Sequence, residues 1–133
     1  MRTVRVMNAT RGVDLARNAR VADTMWTRLR GLLGRPALCP GEGLVIAPSR
    51  GVHTHGMRYP IDIVLVDEGG VVTAVYPELR PWRRTRIHRN ARTAIEFPDG
   101  VIATSGTRRG DVIRTLPCER EDAPGTTANG DPA

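Results

Sequence analysis

The chain contains no lysine: all 20 of its basic residues are arginine. Aromatics make up 4% of its 133 residues, so a core has to be assembled from Val, Ile, Leu and Ala. No run approaches the roughly 18 consecutive apolar residues that would cross a bilayer as a helix. The opening MRTVRVMNATRG has neither an apolar h-region nor a small-residue cleavage site, which reads as a cytoplasmic protein with no membrane partner. Cysteine is nearly absent too. Cys39 and Cys118 form no CxxC or CxxH spacing, which excludes a zinc ribbon and a thioredoxin-type centre and gives a Cys39–Cys118 disulfide no support. The phosphate-cradling P-loop, a GxGxxG after a strand and the GxSxG nucleophile elbow are all missing. No pair of carboxylates stands out as an acid–base couple.

What remains is 40% hydrophobic and 26% charged, the composition of an ordinary globular protein about one domain long. The net charge of +6 is unevenly placed. Residues 1–116 hold 19 arginines against ten acids, whereas residues 117–133 hold one arginine and four acids. The expected organisation is a single β-rich domain over 1–116, followed by a disordered, acidic, Pro/Gly-rich tail over 117–133. A basic body draws anionic partners, although arginine spread along the chain also makes an ordinary solvated surface.

Hydrophobic periodicity predicts mostly strands. Thr3–Met7 alternates polar and apolar, Val13–Ala16 forms a second short segment, and Leu44–Ile46 lies between Gly43 and Pro48. Ile61–Val66 is apolar on both faces except at Asp62, the pattern of a strand covered on both sides. Asp67-Glu68-Gly69-Gly70 is a hairpin turn leading into Val71–Tyr76. Further strands fall at Ala94–Phe97 and Asp111–Leu116, with a short helical or turn segment over Val101–Ser105. One longer helix is expected at about residues 24–33. Asp23 or Thr24 would cap it, Trp26, Leu29, Leu32 and Leu33 would form its apolar face, and Gly34 would end it. The fold class is therefore mainly β, a compact β-sandwich or barrel-like domain with one short α-helix.

Three clusters carry possible chemistry. On a strand, His53 and His55 would point to one side, the spacing by which two imidazoles share a metal, with Asp62 as an oxygen ligand if the intervening turn folds back. That arrangement would hold zinc or another divalent metal. It resembles the metal motif of cupins, but no Glu follows His55 within a dozen residues and Ala103 stands where a third His would fall. Asp62 itself interrupts an apolar strand and needs a partner, because an unpaired buried carboxylate costs several kcal/mol, on the order of 3 or more. Arg28, Arg35, Arg58 or a histidine would serve, either as a structural ion pair or as a charged anchor in a ligand pocket. The stretch Arg80–Arg92 holds six arginines and Trp82. Guanidinium forks suit phosphate and an indole stacks on bases, while a charged edge strand resisting aggregation has a similar composition.

These residues also carry a family resemblance. The runs RLRGLLGR (28–35), GEGLVI (41–46), VHT (52–54) and GMRYPID (56–62), then Trp82-Arg83, EFPDG (96–100) and Gly110-Asp111, resemble domain-of-unknown-function family 192 over approximately residues 5–115. The resemblance implies a compact β-rich domain with a short helix and no agreed catalytic residue or cofactor. Two positions depart from it: His55 stands where Phe is common, and Ser49 where Cys is frequent. Its matching positions Arg28, Arg35, His53, Met57, Arg58 and Asp62, together with Trp82, are the expected ligand-binding set. The leading expectation is a cofactor-free binding module for an anionic small molecule or peptide group. The alternatives are a metal-dependent enzyme using His53, His55 and Asp62, and a nucleic-acid-binding accessory protein using Arg80–Arg92.

Overall fold

The computed structural model describes residues 2–22 and 38–118. The helix expected at about 24–33, with Arg28 and Arg35, lies outside the described residues, as does the tail beyond 118.

Seven strands form one mainly antiparallel sheet: β1 (Thr3–Asn8), β2 (Val13–Ala22), β3 (Glu42–Ile46), β4 (Ile61–Val66), β5 (Val72–Leu79), β6 (Thr93–Pro98) and β7 (Ile113–Pro117). Their spatial order is β5-β4-β6-β3-β2-β1-β7, and only β2 and β3 run parallel. Val101–Ser105 is helical (α1), flanked by left-handed Gly100 and Gly106. The sheet curls until its ends meet at a bridge between Val71 and Val112. There the Ile113 N–H donates to the Gly70 carbonyl at 2.8 Å and the Val72 N–H to that of Asp111 at 2.8 Å. Gly70 is required at the seam: it sits at φ 87°, and a Cβ would come within 2.7 Å of the Ile113 oxygen. The sandwich-or-barrel expectation thus resolves to a curled, barrel-like sheet.

Two apolar layers follow from strand alternation. Val6, Val64, Val66, Ile95, Phe97 and Ile113 are among those filling the inside of the curl. Leu44, Ile46, Ile61, Ile63, Leu65 and Ala94 point outward and are covered by Met57, Tyr59, Val52 and Ala91 from the segments between strands. All six β4 residues are buried for this reason.

Several elements are longer than their sequence patterns. β2 continues through Asn18, which reads as a turn residue, because the backbone keeps pairing with β1 on one side and β3 on the other. β5 extends over Pro77, which is tolerated because β5 lies at the end of the strand order. Both cysteines are free thiols. Among the described residues, no helix is long and apolar enough to cross a membrane.

Candidate functional site

The segments 50–57 and 80–91 run beside each other as a ribbon over the outer face of the sheet. His53 bridges Arg84 in antiparallel fashion. The Thr54 N–H donates to the Arg83 carbonyl at 2.8 Å, Thr85 N–H to Val52 at 2.9 Å, and His88 N–H to Arg50 at 2.9 Å. The two backbones approach so closely at Gly51 that a Cβ there would lie 2.8 Å from Thr85 Oγ1 and 2.9 Å from the Arg86 carbonyl. From below, Tyr76 Oη and His88 Nε2 share a 2.7 Å hydrogen bond, and the Arg86 N–H donates to the same phenol at 3.2 Å.

Thr54 organises one end of this ribbon. It is fully buried. Its hydroxyl donates to the Arg80 carbonyl at 2.6 Å and accepts from the Arg83 N–H at 2.9 Å, while the Trp82 N–H donates to the Thr54 carbonyl at 3.0 Å. Those bonds hold Trp82 at φ 63°, a left-handed conformation that costs a side-chain-bearing residue roughly 1–2 kcal/mol. The strained backbone turns the indole outward: Trp82 is 65% exposed. His55 stacks against it, with ring centroids 5.8 Å apart and planes 23° from parallel, and His53 follows at 4.9 Å from His55. Replacing Thr54 by Val should leave the part-buried Arg83 N–H and Arg80 carbonyl without this hydroxyl, lowering stability by about 2 kcal/mol in urea unfolding.

The charge around this aromatic row is one-sided. Residues 50–61 and 80–92 carry eight arginines and no acid, whereas the rest of the chain carries twelve arginines and all fourteen acids. Every one of the eight (Arg50, Arg58, Arg80, Arg83, Arg84, Arg86, Arg89 and Arg92) is exposed. The ion pairs among the described residues lie elsewhere, Arg5 with Asp14 and Arg11 with Asp111.

The expected site residues separate. His53, Arg58 and Trp82 are exposed on or beside the ribbon. Met57 is instead part of the outer apolar layer, 8% exposed. Asp62 lies sealed under α1 and β5 and does not join the histidines. Its Oδ1 accepts from the Glu78 N–H at 2.9 Å and its Oδ2 from the Ile102 N–H at 2.7 Å. The partner expected for it was a guanidinium or an imidazole; backbone amides take that place. The metal set of His53, His55 and Asp62 is accordingly not assembled. Both histidines are exposed on the outer ribbon and Asp62 is fully buried, and among the described residues no three His, Cys, Asp or Glu converge to hold an ion.

Two further carboxyls were not singled out by the sequence. Asp111 belongs to a buried polar cluster at the seam. Burial pushes its carboxyl up, but hydrogen bonds from Asn8, Arg11 and the Arg108 N–H and the Arg11 charge together bring it below the ordinary carboxylate range. Glu96 is different. Its cross-strand neighbours on β3 and β4 are Leu44 and Ile63, and among the described residues its Oε1 has no hydrogen-bond partner. Burial pushes its pKa up to about 8. A signal existed for it: like Asp62, it stands in an apolar run. A cleft of about 360 Å³ opens at another place, lined by Val13, Leu15, Pro40, Pro98, Val101 and Thr104 among others, and none of the expected site residues lines it.

Comparison with known proteins gives a consistent family. Residues 6–115 match DUF192, described as "Uncharacterized ACR". A "UPF0127 protein" of Thermococcus sibiricus is 32% identical over 114 residues, which cover 81% of this chain and 72% of that protein. A protein of unknown function from Novosphingobium aromaticivorans shares the fold with a TM-score of 0.72 at 19% identity, over 84% of this chain and 83% of its own. A "putative transcription regulator" of Sinorhizobium meliloti does so with a TM-score of 0.69 at 21% identity, over 85% and 92% respectively. At these identities the two structures establish a common fold and nothing more.

Proposed function

The chain belongs to the DUF192 family, which is uncharacterised, and from its geometry we propose a binding module whose ribbon face takes an anionic group. One observation carries this reading: eight exposed arginines and no acid on residues 50–61 and 80–92. Guanidinium groups held near one another repel, and an oxyanion that accepts their N–H donors relieves that repulsion while gaining charge-assisted hydrogen bonds. The rigid ribbon beneath them lowers the ordering cost of binding, since its backbone is already fixed by Thr54, Thr85 and Tyr76.

Pyrophosphate is a suitable probe. It should raise the melting temperature of the native protein and lose that effect in an Arg84→Ala/Arg86→Ala double variant whose own melting temperature is unchanged. Salt should weaken the response, because exposed charges are screened over about 10 Å at 0.1 M ionic strength. A native protein that melts at the same temperature with and without pyrophosphate at low salt would overturn the reading.

A further inference from the structure

We infer that the ribbon is a track for single-stranded nucleic acid, with a base stacked on the open side of Trp82 and the phosphates following the arginines. This rests on the anion-binding reading and narrows it. The first argument is extent. Segment 83–88 spans on the order of 17 Å at strand rise, and Arg83, Arg84 and Arg86 are distributed along it, with Arg89 just past its end, Arg50 on the adjoining segment and Arg58 in the bend that follows that segment. One small anion meets two or three of these at most. A chain of phosphates meets them in succession.

The second argument is the aromatic end. A polyanion without rings, such as an acidic peptide, has no use for an indole held outward at a strained φ against a stacked imidazole, with a second imidazole tilted beside it. A nucleobase does, because every base presents a π-face to an aromatic platform. Ile87, 73% exposed between Arg86 and His88, adds an apolar surface farther along the same track. The ribbon offers one narrow line of contacts rather than a helix to enter a major groove, which favours an unpaired strand over a duplex.

The test is fluorescence anisotropy with a labelled oligothymidylate of about 12 nucleotides, within the site sizes such platforms cover. With about five phosphates neutralised, affinity should fall roughly a hundredfold from 50 to 200 mM NaCl, and each arginine replaced by Ala should lower the log–log slope by about 0.7. Trp82→Ala should weaken binding about tenfold with the slope unchanged, and Trp82→Phe should recover most of it. The variants' melting temperatures establish that the ribbon is intact.

Each contrary outcome has its own meaning. If pyrophosphate stabilises the protein but the oligonucleotide does not bind at low salt, the inference falls and the anion reading stands. If neither binds, both fall. Equal affinity for a polyglutamate of matching length, or an unchanged affinity in Trp82→Ala, would make the surface a non-specific polyanion patch and overturn the nucleic-acid assignment.

Discussion

Raising the pH from about 4.5 to about 8 should strip roughly 5 kcal/mol of folding stability through a single side chain, Glu96. In the folded protein its carboxyl is raised to about 8 by burial, against 4.5 for the ordinary group. Between those values the native state keeps the proton and the unfolded chain releases it, so stability falls with rising pH by about 1.4 kcal/mol per pH unit. The contribution is complete below the lower value and gone once the pH passes the upper one. Urea unfolding of the native protein and of Glu96→Gln across this range isolates the effect, because other groups contribute equally to both. The variant should lack this slope and be the more stable of the two at pH 9. Parallel pH profiles would mean that Glu96 has found a partner and is ionised in the fold.

Asp62→Ala should cost about 4 kcal/mol, because it leaves the buried amide of Ile102 and the part-buried amide of Glu78 without this acceptor. The two amides mark different features. Glu78 lies at φ 53° where β5 carries one residue more than β4 between the pairs Ile61–Leu79 and Ile63–Tyr76, a β-bulge. Ile102 lies in the first turn of α1, whose Gly100 start has no side-chain cap. One carboxyl therefore ties a bulge to a helix start that lacks a side-chain cap of its own. Asp62→Asn keeps one accepting oxygen and should lose about half as much, so the loss remains measurable even if the Ala variant does not fold. Hydrogen exchange at Glu78 and Ile102 should accelerate in both. Wild-type protection at these two amides in Asp62→Asn would contradict the role.

These two carboxyls also show where sequence reading succeeds and stops. Asp62 interrupts a strand apolar on both faces, so its need for a partner was legible. The partner was not, because backbone N–H groups carry no residue-type signature. Glu96 also stands among apolar residues in Ala94-Ile95-Glu96-Phe97, but a single acid in so short a run equally fits a strand with one wet face. Met57, Tyr59 and Ala91 lie across that face, in segments whose composition is polar and arginine-rich. The arginine ribbon was visible in composition, as was Trp82. That Thr54 ties Arg80, Trp82 and Arg83 together was not, since the pairing spans 26 to 29 residues and involves main-chain atoms. The bounds of β4 and α1 follow from apolar runs ended by an acidic turn and by Gly106 respectively.

The order of the strands has a consequence for how the chain acquires its structure. β1, the first of the described strands, pairs on its outer side with β7, the last of them, so that Val4 lies opposite Pro117. Long-range pairing of this kind slows folding, because the entropy of a loop over most of the chain is lost before its contacts form. During synthesis the amino-terminal hairpin therefore waits with one edge unsatisfied until the carboxyl-terminal strand leaves the ribosome. A nascent chain arrested before residue 113 presents that edge to its neighbours, and co-translational aggregation should concentrate in such truncated products.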